Sequence, residues 1–460
     1  PRLVLDVGGV TRYATYSSGT GSSTLTFTYS PTVGDIDLDG LAISSTSIDL
    51  NSGAIKDLAG NDMSPLTFTL PNTSGVNVSY PSLSMDFAQD TDGRYTLNGT
   101  SYNDLSSFMA AASGSFSRSS IGTYYDNTGT LQTAALNVPR FDFDPVTHNA
   151  RGIFLEESRT NKIYNSYFEN WTGVDPANWN NPGGNITKIA GEFGTNAMRI
   201  TGPFSNSGSR VNLTMSTVSP STVYTLTVRV KLVSGTGTLA LAVDNWAGMA
   251  FSFSSASMTA GQYVTLSQTA TSSATTNSSG GLHTNGTSAV FDVDYIQLEQ
   301  GNFATSYIPT LSGELTRQAD AFSIPVGTWF NGAEGTFMEA SDYTYANNPL
   351  AMGVAIHASG NQGYLLYKQA STSQFYLFAG GSQTNIGSIS SNALFKAGLF
   401  YDASSVRGAL NGNLSSTIAP SAFVAPTHLN LYANGHTGHI QSLQYYPIKS
   451  STTQLQLLTQ

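Results

Sequence analysis

The stretch VYTLTVRVKL, residues 223–232, decides the fold class. Apolar and polar residues alternate along it, and it is rich in Thr, Val and Tyr. That pattern belongs to a half-buried strand. The same texture returns at 24–29 (TLTFTY), at 238–243 (TLALAV) and at 290–298 (VFDVDYIQL). In the last of these, Val290, Asp292 and Asp294 alternate with Phe291, Val293 and Tyr295, as a strand with one buried face requires. Gly, Asn and Ser break the runs. Helical patterns are confined to 101–112 (SYNDLSSFMAAA) and to 450–459, where Leu455, Leu457 and Leu458 give a weak apolar face. The sequence therefore predicts an all-β, multidomain protein of sandwiches or jelly rolls.

Composition narrows the function classes. At 460 residues the chain is long enough for about three domains. Only 10% of the residues are charged, so Ser, Thr, Asn and Gln must supply most of the polar surface. There are 23 Tyr and 23 Phe, and they carry much of the apolar mass. Cysteine is absent, which removes disulfides, thiol nucleophiles and Cys-based zinc sites. The net charge of −10 without basic runs argues against nucleic acid as a partner. No stretch of about 20 apolar residues is present to insert into a membrane. The chain begins at Pro1, without Met, and can be a fragment or a processed product.

Changes of texture divide the chain into regions 1–80, 81–165, 166–312 and 313–460. The turn-rich PTLSG at 309–313 marks the clearest junction. Several segments carry family resemblances. DIDLDG (35–40) and LNSGAIKDLAGN (50–61), after TLTFTY, resemble a bacterial immunoglobulin-like repeat. Asp57, Gly60 and Asn61 there suit a tight turn. The stretch 115–161 carries Phe116 with Arg118, Tyr124 with Asp126, Pro139 to Asp142, Gly152 to Glu156, and Arg159-Thr160-Asn161. It closely resembles a segment of phage tail and head-spike fibre proteins. That resemblance implies a virion appendage, often a homotrimer, without catalysis. Residues 290–310, followed by Arg317 and Asp320, resemble the end of carbohydrate-binding-module-like jelly rolls. EGTFMEA (334–340) and LFKAGLFYDASSVRGALNGN (394–413) resemble a concanavalin-like, laminin-G-like jelly roll. The Asn411-Gly412 pair there predicts a hairpin turn.

The chemical constellations are sparse. Asp35, Asp37 and Asp39 before Gly40 form the opening of a calcium loop, but Thr46 stands where the closing Glu would be, and a solvated acidic turn is favoured. Asp90 and Asp92 before Gly93 are a weaker case of the same pattern. His436 and His439 read as surface or packing residues, since Gly435 and Gly438 oppose a helix. Glu156 and Glu157 are adjacent and point to opposite strand faces, so they cannot flank one glycosidic bond. Glu156 is expected to pair with an arginine in a trimer or interdomain contact. No nucleophile elbow, metalloprotease or phosphate-loop motif occurs, so no catalytic residues, cofactor or metal ligands are assigned. Aromatics beside amides and carboxylates suit sugars. Trp179, Asp244, Asn245 and Trp246 are the ligand-binding candidates, with a core role as the competing reading of the tryptophans. Trp329 is expected in a core.

The resulting expectation is an Ig-like sandwich, a fibre segment with a short helix, and two jelly-roll sandwiches. It would serve as an extracellular virion appendage, a tail fibre or head spike, that binds a host surface polysaccharide or other receptor during attachment. Its other partners would be virion proteins and copies of itself. A polysaccharide-degrading tailspike or a bacterial surface adhesin are the alternatives.

Overall fold

The computed structural model describes the chain except residues 89–93, 182, 184, 203–209, 244–249, 274–276, 286–287, 345–350, 360–361, 370–371, 421–424 and 433–436. The protein is all-β and multidomain. Among the described residues the only α-helices are Leu105–Ala111 and Thr452–Leu458. Both lie inside the segments the sequence marks as helical. Each has a side-chain cap: Asp104 accepts from the Ser107 amide and Ser451 from the Gln454 amide. No helix among these residues is long and apolar enough to cross a membrane.

The N-terminal module is built on a four-stranded sheet. Its central strand, Arg2–Val7, pairs with Val10–Ser18 and with Ala42–Ile43. A separate two-stranded pair joins Ile36–Asp37 to Val78–Ser79. The core is small: Leu5, Val7, Ala14, Leu41 and Val78. From 44 to 77 the described pairing is limited to isolated bridges such as Ser47 with Thr67. The expected turn at 57–61 forms, with Asp57 accepting from the Ala59 and Asn61 amides and Gly60 at φ 88°.

The middle module is a two-sheet jelly roll. One five-stranded sheet is centred on Val290–Gln300, between Asn196–Thr201 and Val223–Ser234; the other includes Val211–Val218 and Thr238–Val243. Leu226, Val228, Val230, Phe291 and Val293 from the first sheet meet Leu213, Met215, Leu239 and Leu241 from the second. The alternation read in 223–232 is thus the inward face of this sandwich.

The largest core lies in the C-terminal sandwich, between a seven-stranded and a ten-stranded sheet. Here the domain boundaries differ from the regions read in the sequence. Residues 81–165 do not stand apart but complete this sandwich. Leu83–Asp86 pairs with Thr437–Tyr446, placing Met85 opposite Leu443. Ala150–Glu156 pairs with the other half of the same strand, with Ile153 opposite Ile440. Ser115–Ser117 pairs with Ala321–Pro325 in the second sheet. The jelly roll is inserted between these halves on a two-stranded stem, Arg159–Asn161 with Leu315–Arg317. Local periodicity reports which residues form strands, not which distant strand they join. The Asn411-Gly412 hairpin forms as expected, at φ 46° and 78°. Trp329 is a core residue.

Candidate functional site

Of the candidate site residues singled out in the sequence, several lie outside the described residues, and Trp179 and the acidic string at 35–39 lie in separate parts of the fold. Trp179 is 5% exposed, sits in the jelly-roll core against Phe168, and donates its indole N–H to the Tyr164 carbonyl. Its ring has no open face for a sugar, which is the core alternative. Asp244, Asn245 and Trp246 lie outside the described residues, as do His436, Asp90, Asp92 and Gly93. The acidic string is spent on internal bonds. Asp35 accepts from Arg12 and the Thr32 amide, Asp37 from the Gly8 and Gly40 amides, and Asp39 from Gln454. Among the described residues no group of three or more His, Asp or Glu side chains is placed to hold a metal ion.

The residues behind the fibre-segment resemblance do converge, on a buried junction. Arg118 and Arg140 both reach Asp320, at 2.9 and 2.6 Å. Arg140 and Arg317 both reach Glu156, at 2.6 and 3.0 Å. Ser306 of the jelly roll donates its amide to Glu156 at 2.7 Å, and Thr437 donates its hydroxyl at 3.1 Å. All five charged side chains are within 1% of full burial. Burial alone would raise the Glu156 carboxyl, but Arg317 and Arg140 override it and hold it at about 2. The expected arginine partner of Glu156 is therefore present twice, at an interdomain contact.

Beside this junction a cleft of about 480 Å³ opens between the jelly roll and the C-terminal sandwich. One wall comes from the hairpin of Gly122–Tyr125 and Leu131–Ala134, which presents the half-buried Tyr124 and Tyr125. The opposite wall is the outer face of the jelly-roll sheet, with Thr227, Arg229, Tyr263 and Tyr295. Tyr295 departs from the alternation read in the sequence. The pairing shifts between Arg229 and Val230, so that Arg229 faces Tyr295 while Val230 faces Val293. Asp294 is the extra residue of this bulge. The slip turns Tyr295 away from the core, where it stacks on Tyr307 at 3.9 Å.

Two hydroxyls of this cleft, Thr227 Oγ1 and Tyr263 Oη, are buried without a hydrogen-bond partner among the described residues. The charged groups are engaged. Arg229 pairs with Glu192 and stands 3.6 Å from Asp294. Arg151 holds Asp342 at 2.7 Å. Burial pushes the Asp294 carboxyl up to about 6, against two backbone amides that favour its charged form. His439 bridges Asp342 and Asp142 at 2.8 and 2.9 Å and stacks on Phe154. Burial lowers its imidazole and the two carboxylates outweigh that, leaving it raised. The cleft is thus lined by tyrosines, with two buried, unpartnered hydroxyls in its wall and a rim of neutralised ion pairs. Sequence reading passed over these residues because their signal is a bulge and a long-range pairing. Thr227, Arg229 and Tyr295 were legible only as strand residues, Tyr124 and Asp142 only as parts of the fibre-segment motif, and His439 only as a surface or packing residue.

The fold and cleft define a multidomain β-sandwich protein with an interdomain cavity. No protein-family model matches the chain, and no curated protein matches it at a significant level. Among solved structures it is similar to the binding domain of botulinum neurotoxin serotype D/C, at 10% identity over 31% of this chain and 40% of that one, with a TM-score of 0.26. The chain thus spans two-fifths of that structure's length. It is also similar to the CBM40 module of the Ruminococcus gnavus IT-sialidase, at 16% identity over 28% and 84%, TM-score 0.24. A third is domain 4 of AbnA, a GH43 extracellular arabinanase from Geobacillus stearothermophilus, at 13% identity over 35% and 84%, TM-score 0.24.

Proposed function

We propose that this chain is a non-catalytic glycan-binding attachment protein of the surface-adhesin type. The observation that carries the reading is the interdomain cleft, in which Tyr124, Tyr125 and Tyr263 stand beside the unpartnered Thr227 and Tyr263 hydroxyls. Sugars use such a surface well: C–H faces lie on aromatic rings and hydroxyls take up free hydrogen-bonding groups. Repeated display turns modest affinity into firm attachment. The test is a glycan array probed with the purified chain and with Tyr263→Ala. Selective binding that falls about tenfold or more in the variant supports the reading. Binding unaffected by the variant, or release of oligosaccharide from a bound polymer, opposes it.

A virion appendage is the finer reading. The observation favouring it is that Arg118, Arg140 and Glu156, which carry the resemblance to phage fibre segments, build the junction beside the cleft. On that reading the chain assembles as a trimer on a particle. Mass measurement of the purified protein and electron microscopy of particles carrying it test this, and a monomer found on bacterial cells opposes it.

A further inference from the structure

The cleft is the first of three cavities that follow one another along the same hairpin. The next, of about 360 Å³, shares Gly129, Leu131 and Arg229 with it. The third, of about 500 Å³, shares Leu131, Glu192 and Phe193 with the second. The hairpin forms one side throughout, and the jelly roll the other. We propose that this groove holds an extended, uncharged polysaccharide, several sugar units at once. The proposal rests on the glycan reading above and adds the ligand's length and charge.

The extent argues for a chain rather than a single sugar, because each cavity adjoins the next through shared lining residues, and together they reach from Tyr263 to Pro309. Charge argues for a neutral one. The arginines that line the groove are already matched, Arg151 by Asp342 and Arg229 by Glu192. A uronate, phosphate or acidic peptide would instead meet Asp142, Glu192 and Asp294 with no uncommitted cation among the described lining residues. Desolvating such an anion there would be costly. A neutral chain brings only hydroxyls, and Thr227, 4% exposed with a free Oγ1, is placed at one end to receive one. The Asp294 carboxyl, buried at the side of the middle cavity, needs no new partner since two amides already serve it.

The test is calorimetric titration with oligosaccharides of cellulose, xylan, mannan and dextran, one to eight units long, and with polygalacturonate. The expected result is that a neutral series gains about tenfold or more in affinity between one and six units. Thr133→Trp, which obstructs the third cavity and lines neither of the other two, should cancel that gain while leaving the shortest binder unchanged. Thr227→Val should weaken short and long chains alike. Circular dichroism melts of both variants establish that they are folded. Short sugars bound with no gain in length, or a gain insensitive to Thr133→Trp, overturn the extended groove and leave the glycan reading standing. Preferential binding of polygalacturonate overturns the neutral assignment. Binding of none of these probes overturns both.

Discussion

A carboxyl group buried without a cation keeps its proton, and Glu339 is in that position. It is fully buried in the C-terminal sandwich, Oε2 accepts from Ser341 and Tyr343 at 2.9 Å, and Oε1 has no partner among the described residues. Burial pushes it up to about 7, which the two hydroxyl bonds only partly oppose. The folded state therefore binds a proton that the unfolded state releases above its ordinary value near 4.5. The stability this proton confers is complete below about 4.5 and is lost as pH rises through about 7, a change on the order of 3 kcal/mol. Glu339→Gln should flatten that decline: its urea midpoint should match the parent near pH 4.5 and exceed it at pH 8. A variant that tracks the parent at both pH values would show that Glu339 does not titrate in this way. Glu156 behaves oppositely, since its two arginines hold it at about 2, so its contribution is present above about 4.5 and lost on acidification. Sequence reading could assign Glu156 a cation from the arginines around it. Glu339 was invisible, because nothing in EGTFMEA reports that the acid lies on an inward face.

At the scale of elements, turns and short helical stretches were legible and close approaches were not. Asn-Gly fixed a hairpin, and both short helices fell inside the stretches 101–112 and 450–459, because those signals are local. The bulge at Asp294 depends on how Val223–Ser234 pairs beside it, so the alternation placed Tyr295 on the wrong face. Gly152 is the corresponding case in the strand Ala150–Glu156. It has φ 105°, and a Cβ there would stand 2.2 Å from the Ile440 carbonyl oxygen on the neighbouring strand. Neither the backbone angle nor the space tolerates a side chain. Gly152→Ala should lower stability by about 1–3 kcal/mol, the usual scale of such strain, and more where the strands separate. Thermal melts would read the loss, and limited proteolysis at the exposed 145–149 turn would report loosening of this strand before the jelly roll unfolds. Unchanged melting would mean that the two strands are not so closely paired.

At the scale of the molecule, the order of modules in the sequence is not the order of cores. The regions 81–165 and 313–460 share one core, and the jelly roll interrupts it on a stem whose strands lie side by side, Asn161 opposite Leu315. An insertion with adjacent ends can fold without bending its host. The inserted jelly roll closes its own core, from Ile163 to Leu298, without side chains from the sandwich. The sandwich cannot do the same from residues 313–460 alone. Its strand Thr437–Tyr446 would lose Leu83–Asp86 and Ala150–Glu156, and Tyr343 and Leu443 would lose the packing of Met85, Phe87, Ile153 and Leu155. Exposed strand edges and an opened core favour aggregation over folding. A fragment spanning 162–314 should therefore give a cooperative β-type melt, whereas 313–460 should be insoluble or lack one, and 81–460 should restore it. The comparison also bears on the cleft, whose walls come from both bodies: binding should be absent from the isolated jelly roll even when it is folded, and present in 81–460. A soluble, cooperatively folded 313–460 fragment would return the boundary to where the sequence alone had placed it.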